Sequence, residues 1–350
     1  MASLSSSQPS ALRRIFRWVL FVAVAAFVVV NAMAFAQAWS MTHFAAGGKR
    51  TKVGAPLSPM EKAQILLCGP TLPRPKNTLT PQKFGLAYST EMIRGGAGRL
   101  EAWRVRGDVG RPLVVMFHGY GASKDSMLRA AAEFHAIGCE TWLVDFRGCG
   151  GSDGSISTVG WHEADDVAAA VRYAQRISGA ERPLVLYGSS MGAAAVLRAA
   201  HLGAVQPAAL VLEAPFDRLR TTVGNRLAIM GLPPHPLAEL LCFWGGVQQG
   251  FNGLAHNPVV YARGVHCPTL LMQGELDNRV GLRNGRAIAR VLGKSAEFET
   301  FPGVGHAFLC YQAPQQWRGC VRGFLVRIGL DHRAAVDELN QRRLRTLRAS

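Results

Sequence analysis

The sequence predicts an α/β protein with a mostly parallel sheet covered by helices on both faces. Three observations lead there. From residue 113 onward, short strand-like runs alternate with helical stretches, the pattern of successive β–α units. Runs such as Leu113–Phe117 and 184–187 are apolar throughout, as strands buried on both faces must be. A chain of 350 residues that is 49% hydrophobic is also long and apolar enough for one large domain plus attachments.

Taken in order, residues 1–17 form a basic segment with Arg13, Arg14 and Arg17. An uncharged run follows, with Asn31 its one polar side chain before Gln37. As a helix, residues 18–36 would span roughly 28 Å, close to the thickness of a bilayer core. We read residues 18–40 as a transmembrane signal-anchor. The alternative is a signal peptide cleaved after Ala36, since Ala34-Phe35-Ala36 fits an A-x-A site. Either reading puts the rest of the chain on the extracytoplasmic side if the three arginines stay inside.

Residues 41–82 read as a linker, with one helical turn near residues 60–67. The main domain is expected over 83–330. It opens with a hairpin of residues 86–93 and 100–105, then strand 113–117, helix 123–137 and strand 140–145. Thr158 is expected to cap a helix over 163–177. Further strands are expected at 184–187, 208–212, 269–273 and 296–301, with helices at 278–292 and 315–328. An insertion over about 214–266 has no strand pattern. It carries helical segments near 219–230 and 236–244, then glycine breaks at Gly245-Gly246 and residues 250–253, and is expected to roof a pocket. Residues 331–350, with Arg342, Arg343, Arg345 and Arg348, read as a basic helical tail.

The net charge of +16 comes mostly from arginines spread along the chain, without a basic stripe interleaved with aromatics, so nucleic acid is not an expected partner. Seven cysteines with no C-x-x-C argue against a disulfide scaffold and against a structural zinc site, although a Cys310–Cys320 bridge could form outside the cytoplasm. His162-Glu-Ala-Asp-Asp166 fails the H-E-x-x-H zinc pattern, because Asp166 stands where the second histidine is needed. The glycine-rich stretch from Asp145 to Gly154 fails dinucleotide spacing, because Asp153 occupies the third glycine position, and reads as a bend beside the active site.

The stretch with chemical content is Gly188-Ser189-Ser190-Met191-Gly192, between a strand and an alanine-rich helix. In such an elbow the third residue sits at the apex of a turn so tight that glycines must flank it, and its hydroxyl projects from the strand end. Ser190 is therefore the candidate nucleophile. A serine hydroxyl needs a base, the base needs an orienting acid, and the oxyanion needs N–H donors. His306, in a glycine-bordered loop after strand 296–301, is the candidate base; His118 is expected to order its loop. Asp277 is the candidate acid, preferred over Glu275, Glu213 and Asp217 because its short, glycine-started loop aims back over the strand end. The backbone N–H groups of Met191 and Tyr120, the latter in His118-Gly-Tyr-Gly121, are the candidate oxyanion donors.

The order Ser190, Asp277, His306, with His-Gly-Tyr-Gly upstream and Asp-x-Arg-Gly-x-Gly-x-Ser between, resembles the α/β-hydrolase superfamily. Within it the chain looks like the group of serine aminopeptidase-like and lysophospholipase-like hydrolases, over roughly residues 91–330. The resemblance implies an eight-stranded sheet with a helical cap between the sixth and seventh strands. It also implies acyl transfer to water with no cofactor and no metal. The expected function is a membrane-anchored serine hydrolase acting on a small-molecule or lipid-like acyl ester. An acyltransferase, thioesterase or peptidase on the same residues, or a non-catalytic binding protein, are the alternatives.

Overall fold

The computed structural model of the protein describes residues 11–49, 51 and 58–331. Most of the expected basic tail, residues 332–350, lies outside them, as do the first ten residues and 52–57 of the expected linker.

The chain runs α1 (Ala11–Thr42), α2 (Pro59–Cys68), β1 (Ser89–Gly95), β2 (Gly98–Val105), β3 (Leu113–Phe117), α3 (Leu128–Ala136), β4 (Glu140–Val144) and α4 (Glu163–Ser178). It continues with β5 (Leu184–Ser189), α5 (Met191–His201), β6 (Ala209–Glu213), α6 (Leu219–Ile229), α7 (Leu237–Gln249) and α8 (Pro258–Tyr261). Last come β7 (Thr269–Gly274), α9 (Leu282–Leu292), β8 (Ala296–Phe301), α10 (Leu309–Gln312) and α11 (Pro314–Arg327).

The eight strands form one sheet in the order β1-β2-β4-β3-β5-β6-β7-β8. β1 and β2 form an antiparallel hairpin and β2 joins β4 antiparallel, while every pairing from β4 through β8 is parallel. Side chains alternate between two cores, as the period of two requires. Leu113, Val115 and Phe117 of β3, with Leu184 and Leu186 of β5, pack beneath α4, α5 and α9. Val114, Met116, Val185 and Tyr187 point the other way, against α3, α10 and α11.

Several element boundaries differ from expectation for local reasons. The helix expected from residue 123 begins as a 3-10 turn over Lys124–Met127 and becomes α-helical only at Leu128. The helix expected from residue 278 starts at Leu282, because the preceding residues turn around the Asp277 carboxylate, which accepts the N–H groups of Arg279 and Val280. Thr158 is not the cap of α4. His162 occupies that position, and the Thr158 hydroxyl accepts the His162 N–H at 2.8 Å while donating to Glu163. The cap helix expected to stop at residue 244 runs through both glycines to Gln249. These glycines allow close approach: a Cβ on Gly246 would lie 2.4 Å from the Phe251 carbonyl oxygen.

α1 is 32 residues long and is the one helix among the described residues long and apolar enough to cross a membrane. Its large apolar side chains from Leu12 to Val30 are exposed, whereas Ala34, Ala38 and Thr42 near its end are buried, where α1 packs on α7. The segment that follows runs along the loop after β4. Phe44 N–H donates to the Ser155 carbonyl at 2.7 Å, and the Arg74 guanidinium donates to the carbonyls of Gly150, Ser152 and Gly154. All seven cysteines are free thiols, Cys310 and Cys320 included.

Candidate active site

The parallel strands β3, β5, β6, β7 and β8 end on the same edge of the sheet, and the loops leaving that edge carry the candidate residues. Ser190 follows β5 directly and has φ 51° and ψ −107°, a conformation that residues with a Cβ rarely adopt. The turn is held by Ser190 N–H donating to the Glu213 carbonyl at 2.8 Å on the neighbouring strand. Its two glycines are dictated by space. A Cβ on Gly188 would lie 2.7 Å from the Ala193 nitrogen, and one on Gly192 would lie 2.3 Å from the Phe117 carbonyl oxygen. Among the described residues, Val159, Ser190 and Ala214 are the non-glycine residues with positive φ. Val159 and Ser190 line one pocket and Ala214 follows β6, so the strain gathers around the elbow.

Asp277 and His306 meet, with Nδ1 of the ring 2.7 Å from Asp277 Oδ2. Asp277 is 4% exposed and every oxygen has partners: Oδ1 accepts the N–H groups of Arg279 and Val280, and Oδ2 also accepts Gln273 Nε2 at 2.8 Å. Gln273, near the end of β7, was read from the sequence only as a strand residue; no local pattern marks it as the side chain that steadies the carboxylate. The Ser190 hydroxyl makes no hydrogen bond to His306 among the described residues.

The competing acids are engaged elsewhere. Glu213 is fully buried and accepts Trp317 Nε1 at 2.5 Å, the Leu309 N–H at 3.2 Å and the Tyr187 hydroxyl. Burial pushes its carboxyl above the usual range. Asp217 pairs with Arg218 at 2.9 Å, and Glu275 accepts the Thr300 hydroxyl.

His118 is completely buried, with Nδ1 2.9 Å from the Gly119 carbonyl and Nε2 3.1 Å from the Phe146 nitrogen. Those partners require a proton on Nδ1 and a lone pair on Nε2. Burial pulls its pKa down, in keeping with a neutral ring that orders the loop. That loop abuts the elbow: a Cβ on Gly119 would lie 3.6 Å from the Ser190 Cβ. His162 and Asp166 do not form a metal pair, since Asp166 holds Arg147 at 2.7 Å and His162 Nε2 faces the Gln249 carbonyl. The Asp145 loop is a buried bend; the Asp145 carboxylate binds the fully buried Lys124 ammonium, which also reaches Glu101 at 2.6 Å.

Ser190 lines a pocket whose walls also include residues of α6 and α7. Its walls are mostly apolar, among them Met191, Phe216, Leu219, Val223 and Leu241, and among the described residues Arg226 is the one charged residue on them. One part of the lining escaped sequence reasoning. Ala38, Met41 and Thr42, from the end of α1, form part of the wall, and the Tyr120 hydroxyl donates to the Met41 carbonyl.

The sequence matches the family model described as serine aminopeptidase, S33, over residues 110–244, a span that includes Ser190 and stops short of Asp277 and His306. No curated protein matches it in sequence. Among solved structures the fold is similar to an esterase from Pyrococcus furiosus, at 22% identity and TM-score 0.61, covering 73% of this chain and 96% of that one. It is also similar to a thermophilic esterase from Thermogutta terrifontis, at 19% identity and TM-score 0.51, covering 69% of this chain and 99% of that one. At these identities the likenesses speak for the fold. With the sheet order and the helical segment between β6 and β7, this chain has the α/β-hydrolase fold, and over the elbow it resembles the serine aminopeptidase family.

Proposed function

We propose that this protein is a membrane-anchored serine hydrolase that cleaves a carboxylic ester through Ser190, His306 and Asp277. The observation that carries the reading is a serine held at φ 51° on the strand end, with a 2.7 Å Asp277–His306 pair on the same sheet edge. In this mechanism His306 Nε2 takes the Ser190 proton as the hydroxyl attacks the carbonyl carbon. Asp277 keeps the proton of the neutral ring on Nδ1 and stabilises the imidazolium that forms. The Met191 and Tyr120 N–H groups receive the oxyanion. His306 returns its proton to the departing alcohol, and water, activated by the same ring, then attacks the acyl-enzyme and releases the acid. The Ser190–His306 hydrogen bond would close on substrate binding, as such bonds often do.

An ester is favoured over a peptide by the pocket lining. It offers no carboxylate to hold a peptide amine, and its apolar walls suit an acyl chain. The length and exposed apolar surface of α1 support a single-pass anchor, and Arg13, Arg14 and Arg17 at its start support an extracytoplasmic catalytic domain.

Labelling with a fluorophosphonate probe tests the reading. Label is expected on the wild type and on Ser189→Ala and absent from Ser190→Ala; a labelled Ser190→Ala protein would sink the assignment.

A further inference from the structure

The contact between α1 and the cap is a built interface. Asn31, the lone polar side chain in the apolar run, accepts Trp244 Nε1 at 3.1 Å. One turn on, the Phe35 ring meets Trp244 edge-on with centroids 5.4 Å apart, and the Phe35 carbonyl accepts Gln248 Nε2 at 2.8 Å. Further along, Gly245 faces α1: a Cβ there would lie at ordinary contact distance, 3.9 Å, from both the Ala38 and Thr42 side chains. Residues 31, 35, 38 and 42 recur at helical spacing, so one stripe of α1 is committed to α7. The same last turns face the pocket that contains Ser190, and Met41 receives the hydroxyl of Tyr120, whose N–H stands in the oxyanion loop.

We propose that the end of the membrane helix is a wall of the acyl-binding pocket, and that Ala38 and Met41 help set the length of acyl chain accepted. The inference rests on the serine-hydrolase reading above. It assigns α1 a role beyond tethering: the anchor supplies side chains to the pocket, and the substrate class it fits is an ester with a long apolar acyl chain. In the same pocket the chain would meet Val223 and Leu241, apolar side chains of α6 and α7. Cleavage after Ala36 would leave Ala38 and Met41 on the chain but remove Asn31 and Phe35, half of the contacts that hold them in place.

The test uses the full chain in detergent micelles and compares kcat/KM for a two-carbon and a twelve-carbon p-nitrophenyl ester. Met41→Trp and Ala38→Leu narrow the wall. The ratio of long- to short-chain rates is expected to fall on the order of tenfold in Met41→Trp, and by more than threefold in at least one of the two. A ratio within threefold of wild type in both variants overturns the inference while leaving the hydrolase reading intact. Wild type inactive on both esters overturns that reading and this inference together. Should neither variant fold, Met41→Ala decides, because opening the wall must move the ratio by more than threefold and an unmoved ratio overturns the proposal.

Discussion

Glu213 is the last residue of β6 and Asp277 lies in the loop just after the neighbouring parallel strand β7; both carboxylates are buried, yet their surroundings differ in kind. Around Glu213 stand Tyr187 of β5, Trp317 of α11 and the Leu309 N–H of α10, neutral donors in a fully buried site, and burial raises the carboxyl's pKa. Around Asp277 the short loop supplies two backbone N–H groups, β7 supplies the Gln273 amide, and the loop after β8 supplies the His306 imidazole. The first arrangement ties β6 to the α10–α11 layer. The second holds Asp277 against the His306 ring at 2.7 Å, the pair proposed as acid and base. The groups that the rest of the fold packs against a carboxylate, and not its place near a strand end, therefore set its surroundings.

The contrast is sharpest under isosteric substitution. Asp277→Asn keeps the oxygen that receives Arg279 and Val280 but turns an amide toward the Gln273 donor and His306. The imidazole is then forced to accept at Nδ1 and carry its proton on Nε2, where it cannot take one from Ser190. We expect kcat/KM on a short ester to fall by about 10⁴-fold, as in triads with the wrong histidine tautomer, with a melting temperature close to wild type. Equal activity in the two proteins would remove Asp277 from the mechanism. Glu213→Gln should do the reverse, since one amide N–H must face a donor from Tyr187, Trp317 or Leu309. A loss of about 1–3 kcal/mol in unfolding free energy is expected from that mismatch, read from urea titrations, with kcat/KM changed far less than by Asp277→Asn. If Glu213→Gln silenced the enzyme without destabilising it, the two roles would have to be exchanged.

A smaller effect separates the two acids by pH. The folded state raises the Glu213 pKa above its ordinary 4.5, so as pH climbs past that value the unfolded chain gives up this proton first. The native state then holds more protons than the unfolded one, and the stability Glu213 contributes declines with rising pH. The urea-midpoint gap between wild type and Glu213→Gln should therefore be wider at pH 5 than at pH 8. A gap that widens toward pH 8 would mean Glu213 is held as the carboxylate.

The sequence was most legible where the constraint is local. Gly188 and Gly192 announce the elbow because backbone passes within 3 Å of where a side chain would start, and no distant residue can relieve that. The strands before Asp277 and His306 could be placed because a largely apolar run marks β7 and alternation of apolar and polar residues marks β8. What could not be read depends on partners far along the chain. Gly245-Gly246 looked like a break, yet both lie within α7, and Gly246 permits the close approach of the turn at Phe251 and Gly253. Asn31 and Trp244, 213 residues apart, leave no periodic signature of their pairing. The wall of the pocket formed by α1 was invisible for the same reason. Gln273 and Glu163 are further cases: their value lies in what they hold, the Asp277 carboxylate in one and the turn of residues 157–160 in the other.

The seam between α1 and α7 also has a mechanical consequence. An enzyme on a slack tether sweeps a volume and meets its substrate in any attitude, at a local concentration diluted by that volume. Here the helix enters the body of the protein with four contacts in its last three turns and stands as a pedestal in place of a leash. If α1 spans a bilayer, the pocket mouth keeps a constant height and tilt above the lipid surface, and the domain cannot roll to present another face. Such an enzyme would reach molecules within a thin layer beside its own foot and few others.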